Sequence, residues 1–206
     1  MVGPSVQTSV GNLLVAAAQG ARADATRAIP TCLKLANLSP PAANRAELGD
    51  PFPIIRIGLN SLKNSKKNAD LSDFLVDRTH FGRVAIAVSE VLYPVLVDTR
   101  MAGSVTLERQ GHGTWKPTVF NVGVARALTE ARQARLATEH FYNEQYAGIS
   151  VRALGFYFLG VLGNADLFVP LSSDPETGFE KGVPISAESA LVLLSQLAHD
   201  HNAQPG

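Results

Sequence analysis

Six residues carry most of the binding chemistry that this sequence offers, and they form two groups. The members are Arg109, His112 and Trp115 in the first group and Phe156, Tyr157 and Phe158 in the second. The first group surrounds a glycine-bearing turn, and tryptophan and arginine are residue types in which interface binding energy concentrates. Three consecutive aromatic side chains can line an apolar ligand pocket. The competing interpretation is structural for both groups: Trp115 packs under the turn, and the aromatic residues fill a core.

The other reactive side chains show no spacing that is typical of catalysis or metal binding. The sequence contains no G-x-S-x-G, P-loop, G-x-G-x-x-G, H-E-x-x-H or C-x-x-C motif, which argues against the commonest hydrolase, nucleotide-binding and zinc frameworks. His199 and His201 are two positions apart, so on a helix they would face different sides. Asp174, Glu176 and Glu180 share one loop but lack the alternating ligands of a calcium-binding loop, so a solvated loop is expected there. We therefore predict no catalytic residue, no metal site and no cofactor.

The composition is that of an ordinary globular chain. Of its 206 residues, 46% are hydrophobic and 17% are charged, and 18 basic residues balance 18 acidic ones. Because the net charge supplies no field that would attract nucleic acid, we predict no nucleic-acid partner. The length suits one domain of moderate size, or two small subdomains that share a core. No apolar run reaches the 18 or more residues of a membrane span, which predicts that the chain does not insert stably into a membrane.

The cysteine content and the N-terminal residues bear on the compartment. Cys32 is the one cysteine of the chain, so it has no intramolecular disulfide partner. It precedes Leu33, and a buried small hydrophobic residue is the expected role. Residues 1–11 contain no Lys or Arg, and the apolar run after them is short, unlike an intact signal peptide. We expect a soluble chain that is cytoplasmic, or exported with its signal peptide already removed.

The hairpin group lies in the segment 91–123, which is predicted to be an antiparallel meander. Three runs rich in β-branched and aromatic residues are separated by two polar turns that contain glycine. In the middle run, Val105 and Leu107 alternate with polar residues, so one face of that strand is apolar. Pro94 and Pro117 stand in the outer runs, and proline prefers a sheet edge or a bulge. The middle run is therefore expected at the centre, with an outer run at each edge.

Helices and further strands are predicted before and after the meander. An N-terminal helix is expected from Ser9 to about Arg27, ended by Pro30. It belongs to a helical clasp over residues 9–41, while residues 1–8 and 201–206 are expected to be disordered. Strands are predicted over 54–59 and 83–88, the latter pairing with the first run of the meander. A helix follows Gly123 and ends near His140.

The C-terminal segment contains the aromatic group. Residues 148–162 form a long stretch of low charge, which we interpret as one buried central strand. A turn at 163–164 leads into a second strand that ends near Leu171, which makes a hairpin. Ser186, followed by Ser189, opens a last helix with an apolar stripe at Leu191, Leu194 and Leu197.

These elements predict an α+β fold: a mostly antiparallel sheet, made of a β-meander plus a second hairpin, with helices packed on one face. We expect a single domain over residues 1–206. The order hairpin then helix occurs at 91–137 and again, with a longer loop, at 156–199, so the fold is a candidate for a two-fold β-hairpin–helix pseudo-repeat.

The function predicted from the sequence is a non-catalytic binding or scaffolding domain. It meets a partner, such as another protein, through a sheet face or hairpin tips. The absence of catalytic motifs, the zero net charge and the hairpin around Trp115 favour this interpretation. The alternative is an enzyme or small-molecule carrier with a pocket between sheet and helices, beside the aromatic group. The run YPVLVDTRMAGSVTLERQGHGTW is similar in general look to small bacterial α+β domains of unknown role.

Overall fold

The structure, a computed structural model, describes residues 4–38, 40–64, 77–78, 84–85, 88–111, 113–119, 122–138, 145–163 and 166–200. The chain divides into two compact units. Unit 1 holds residues 1–54 and 88–134, and unit 2 holds residues 55–87 and 135–206. Both units combine helices with antiparallel strands, which confirms the predicted α+β class.

The elements have the following bounds. The helices are α1 (Pro4–Leu35), α2 (Pro40–Ala43), α3 (Leu59–Lys63), α4 (Val122–Thr138) and α5 (Ala187–Asp200), with a 3-10 turn at Arg152–Leu154. The strands are β1 (Ala46–Leu48), β2 (Phe52–Arg56), β3 (Asp77–Arg78), β4 (Val84–Ala85), β5 (Glu90–Val97), β6 (Arg100–Arg109), β7 (Trp115–Val119), β8 (Gln145–Val151), β9 (Phe156–Leu162), β10 (Leu167–Pro170) and β11 (Ile185–Ser186). None of the helices in the described ranges has the length and the hydropathy that crossing a bilayer requires.

The predicted meander is present in unit 1. Strands β5, β6 and β7 pair antiparallel in sequence order. Val105 and Leu107 of the central strand are completely buried, as their alternation with polar residues predicts. The chain turns between β5 and β6 through Asp98 and Thr99, which both have positive φ angles. Two such residues form the tight hairpin turn whose twist matches that of antiparallel strands.

The strand predicted over 83–88 does not join this meander, so that prediction is wrong. Val84–Ala85 instead pairs with Asp77–Arg78 in a separate two-stranded ladder, and residues 83 and 86–87 lie outside the described residues. The edge of β5 is occupied by β1 and by the first half of β2. Apolar alternation identified a strand at this position but carried no information about its partner, because pairing depends on contacts distant in sequence.

The two prolines of the meander have different positions. β7 with Pro117 is a terminal strand, and the register of β6 against β7 shifts between Thr106 and Leu107, which faces Pro117. This agrees with the expected edge or bulge. β5 with Pro94 is an interior strand, which corrects the predicted edge. Pro94 lies where β2, paired with residues 90–92, gives way to β1, paired with residues 95–97, so its missing N–H interrupts neither ladder.

Helix α1 packs on the strands of unit 1 and is longer than predicted. Its residues contact β5, β6 and β7. Pro30 lies inside the helix, which continues to Leu35. The predicted end at Pro30 was therefore wrong. Ile29, Cys32 and Leu33 are all buried, and this burial offsets the backbone hydrogen bond that a proline removes from the helix.

The closest approach of α1 to the sheet is at Gly103 of β6. A methyl group built at Gly103 would overlap the sulfur atom of Cys32. The buried Cys32 thiol also donates to the Ser104 carbonyl oxygen at 3.5 Å. Glycine is therefore required here for space, since helix and strand leave no room for a side chain.

We expect Gly103→Ala to lower the free energy of unfolding by about 1–3 kcal/mol, because it overpacks this contact. The same substitution in a Cys32→Ala background should cost less than about 1 kcal/mol, since the sulfur atom is then absent. Chemical denaturation of the wild type, both single variants and the double variant measures this coupling. Equal costs of Gly103→Ala in the two backgrounds would contradict the packing account.

Unit 2 departs from the prediction at its longest apolar stretch. Residues 148–162 form parts of two antiparallel strands, β8 and β9, rather than one strand. The chain reverses through Arg152–Leu154 and Gly155, which has a φ of 75°. Glycine adopts this left-handed conformation without steric cost, so the turn is placed by Gly155. The predicted hairpin after residue 162 is confirmed, because β9 pairs antiparallel with β10.

The last helix, α5, begins as the sequence predicts. The Ser189 backbone N–H donates to the Ser186 hydroxyl at 3.1 Å, which is an N-cap hydrogen bond. The Ser195 hydroxyl of α5 donates to the Leu62 carbonyl oxygen of α3 at 2.9 Å. Each unit thus places a helix after a set of antiparallel strands; the duplication suggested by this order stays a prediction.

Candidate functional site

A cluster of four phenylalanine rings supports the candidate site in unit 2. Phe158 is 1% exposed and lies 5.4 Å from Phe168, 5.3 Å from Phe179 and 6.2 Å from Phe156, between ring centres. The Phe179 ring meets Phe156 and Phe158 edge to face. Because edge-to-face and tilted pairs are favourable aromatic geometries, this cluster holds β9, β10 and the segment around Phe179 together.

The loop that carries Phe179 is ordered by hydrogen bonds of its own. The Asp174 backbone N–H donates to the Phe179 carbonyl oxygen at 2.8 Å. The Asp174 carboxylate accepts a hydrogen bond from the Thr177 hydroxyl at 2.8 Å and from the Glu176 N–H at 3.4 Å. Asp174 therefore works as a turn-stabilising residue. Within the described part of the chain, no set of His, Cys, Asp and Glu could hold a metal ion.

A cleft of about 600 Å³ lies between this loop, the 3-10 turn and the end of α5. Its lining consists of Ala153, Leu154, Phe156, Asp174, Glu176, Thr177, Leu197 and Asp200. Four of these residues are apolar and three are acidic, and none is basic. The volume falls in the range of clefts that hold small organic ligands, roughly 300–1,000 Å³.

The three carboxylates of the cleft differ in their hydrogen bonds and in their exposure to solvent. The Asp174 carboxylate is used in its own turn, as described above. Glu176 and Asp200 are exposed and form no ion pair with another residue of the described ranges. Asp200 is the last residue of α5, where the partial charge of the helix dipole is negative. The polar side of the cleft is therefore negative in character.

Of the predicted aromatic group, one member lines this cleft. Phe156 is half-buried and forms part of the lining. Phe158 is buried beneath it in the ring cluster. Tyr157 points to the opposite face of β9, because side chains alternate along a strand, and it lies across from Ser150 of β8.

The predicted hairpin group is not assembled as one exposed patch in the described residues. Arg109 is exposed and pairs in register with Trp115. Trp115 is 8% exposed, and its indole nitrogen lies 3.3 Å from the position that a Cβ at Gly20 of α1 would take. The tryptophan side chain therefore packs beneath α1. His112 lies outside the described residues.

Two buried titratable groups of unit 1 serve packing. Burial raises the pKa of the Cys32 thiol, and it raises the pKa of the Tyr93 hydroxyl to about 12. The Tyr93 hydroxyl donates to the Ala18 carbonyl oxygen of α1. A thiol with a raised pKa is less ionised at neutral pH and so a weaker nucleophile. The hydrogen bonds of the Cys32 thiol and the Tyr93 hydroxyl each join α1 to a strand of unit 1.

Four of the lining residues that the sequence did not identify come from two elements. Ala153 and Leu154 belong to the 3-10 turn, and Leu197 and Asp200 belong to the last turn of α5. Leu197 was predicted to lie in the apolar stripe of the last helix. Its spacing of three and four residues from neighbouring apolar residues indicated helix packing and did not indicate a binding site.

Comparison with known proteins adds no relative. No family model, curated protein or solved structure matches this chain.

Proposed function

We propose that this chain is a non-catalytic binding domain and that the cleft of unit 2 binds its ligand. The observation that carries this proposal is the concave surface of about 600 Å³ that Phe156, Leu154 and Leu197 line with apolar atoms. Apolar surface in a concave site releases water when a ligand covers it, which favours binding. Four of the eight lining residues are polar, Asp174, Glu176, Thr177 and Asp200, and these side chains can orient a ligand.

The cleft supports binding better than the predicted hairpin patch does. Interface tryptophans that concentrate binding energy must present their ring to the partner, whereas Trp115 packs beneath α1. Binding is also favoured over catalysis, because the sequence contains none of the common catalytic motifs.

A neutral fluorescent probe, N-phenyl-1-naphthylamine, tests whether the cleft binds small apolar molecules. We expect saturable binding by the wild-type chain and a loss of about tenfold or more in affinity for Leu197→Trp, because the larger side chain fills the cleft; tenfold corresponds to about 1.4 kcal/mol. The matched control is Val192→Trp, an exposed position of the same helix that is not part of the lining.

The control variant should bind the probe as the wild type does. Circular dichroism of both variants establishes that the helix content is unchanged. Absence of saturable binding by the wild type, or equal affinity of Leu197→Trp and wild type, would refute the cleft as a ligand site.

A further inference from the structure

We propose that the outer edge of β7 is a surface on which a second copy of this chain could add a strand, and that Pro117 and Lys116 prevent this pairing. Within the described residues, β7 is a terminal strand that pairs with β6 on one side. Lys116, Pro117 and Thr118 are exposed. An unpaired strand edge is a template for pairing with another chain, so the groups that β7 presents there control self-association.

The hydrogen bonds of the hairpin establish which backbone groups of β7 point outward. Hydrogen-bonded and non-hydrogen-bonded pairs alternate along an antiparallel ladder. The Arg109 N–H donates to the Ser89 carbonyl oxygen at 2.8 Å, on the side away from β7, and the Gln110 N–H donates to the Thr114 carbonyl oxygen at 2.8 Å. Trp115 faces Arg109 in the register and is therefore in a non-hydrogen-bonded pair. The backbone N–H and C=O of Trp115 point to the outer edge.

Pro117 occupies the next outward position, two residues along the strand from Trp115. Proline has no N–H, so the outer edge presents the N–H and C=O of Trp115 but only the C=O of Pro117. At Thr118 β7 has one residue more than the facing strand, and such a bulge interrupts the regular alternation. The regular part of the outer edge therefore offers an incoming strand a single donor.

A second copy of the chain fits this edge in one symmetric arrangement, because two identical antiparallel strands pair about a two-fold axis. With the axis at Lys116, Trp115 of each copy lies opposite Pro117 of the other. Each of these pairs can form one of its two hydrogen bonds, from the Trp115 N–H to the Pro117 C=O. The same axis places the two Lys116 side chains opposite each other, and like charges at such positions are destabilising.

The proline is not required by the pairing of β7 with β6. Pro117 faces Leu107 in a non-hydrogen-bonded pair, so an N–H at this position would add no bond to β6. A donor restored there would serve only an incoming strand. Lysine, proline and a bulge are three features that natural sheets use against edge pairing, and here they occupy the consecutive residues Lys116, Pro117 and Thr118.

Pro117→Val restores the outward donor, and Lys116→Thr removes the opposed charges. Sedimentation equilibrium should show that the double variant self-associates at least about tenfold more tightly than the wild type, because two hydrogen bonds are regained and a repulsion is lost. Pro117→Val alone should lie between them. Because the new N–H has no partner within the native sheet, far-ultraviolet circular dichroism of the monomer should not change.

The matched control is Pro30→Val, an exposed proline of α1 in the same unit. The N–H of a valine at this position donates within the helix and is not offered to another chain. Self-association of Pro30→Val should therefore equal that of the wild type.

A cysteine at the proposed two-fold axis tests which edge pairs. Lys116→Cys together with Pro117→Val should form a disulfide between copies on mild oxidation, because the two thiols would lie opposite each other. Lys116→Cys with Pro117 retained should cross-link much less. The positional control is Lys34→Cys together with Pro117→Val, since Lys34 is exposed on α1, and it should not cross-link above the level of Lys34→Cys alone. Non-reducing electrophoresis measures the dimer, and Cys32 is buried in every variant.

The outcomes either support or overturn the protected edge. If the double variant self-associates no more tightly than the wild type, Pro117 and Lys116 do not block pairing and the inference is wrong. It is also wrong if the double variant associates but Lys116→Cys with Pro117→Val does not cross-link, because a different surface then pairs. Equal cross-linking of Lys116→Cys with and without Pro117→Val would mean that the proline does not protect the edge.

Discussion

Trp115→Ala is expected to lower the free energy of unfolding by about 3–5 kcal/mol, the cost of truncating a buried tryptophan to alanine. Trp115 is 8% exposed and packs against α1 at Gly20. Removal of the ring would leave a cavity between β7 and α1 that the surrounding backbone fills only in part. For a chain of this size the thermal midpoint should fall by roughly 10 °C. Differential scanning calorimetry measures this change directly.

The matched control is Arg109→Ala, on the strand position that pairs with Trp115. Arg109 is exposed, so its truncation should change stability by no more than about 0.5 kcal/mol. The two variants therefore separate packing from recognition at one hairpin. If Trp115→Ala leaves the thermal midpoint unchanged, the ring is not a packing element and the recognition patch at Arg109, His112 and Trp115 becomes the better interpretation.

Local patterns predicted the meander and the helix cap because their causes lie in adjacent residues. Alternation at Val105 and Leu107 defines which face of β6 is buried, and Ser186 caps α5 through a hydrogen bond three residues along. The partners of β5 were missed because β1 and β2 come from about 40 residues earlier. Pairing between distant segments leaves no periodic trace within either segment.

The cleft was foreseen only in part, for the same physical reason. Phe156 was identified because aromatic residues that follow one another are recognisable in the sequence. Asp200 was not, because its place in the lining follows from α5 lying beside a loop that begins some 30 residues earlier. The split of residues 148–162 into β8 and β9 depends on one glycine, Gly155, in a left-handed conformation. A buried strand and a hairpin of two buried strands have similar composition.

Phe158→Ala should be the most damaging substitution in unit 2, with a cost of about 3–5 kcal/mol in the free energy of unfolding. Phe158 is 1% exposed and contacts Phe156, Phe168 and Phe179. Each aromatic pair contributes about 0.5–1.5 kcal/mol beyond the area it buries. Equilibrium denaturation followed by far-ultraviolet circular dichroism measures the loss.

The adjacent residue supplies the control, because Tyr157 lies on the opposite face of β9 and is only half-buried. Tyr157→Ala should cost less than about 2 kcal/mol, since less apolar surface becomes exposed on truncation. Phe158→Ala should also weaken binding of N-phenyl-1-naphthylamine, because Phe179 loses an edge-to-face partner and Phe179 anchors the turn that carries Asp174 and Thr177. Phe158→Leu, which keeps most of the apolar volume, should restore much of the stability. Equal costs for Phe158→Ala and Tyr157→Ala would mean that the ring cluster does not hold the cleft together.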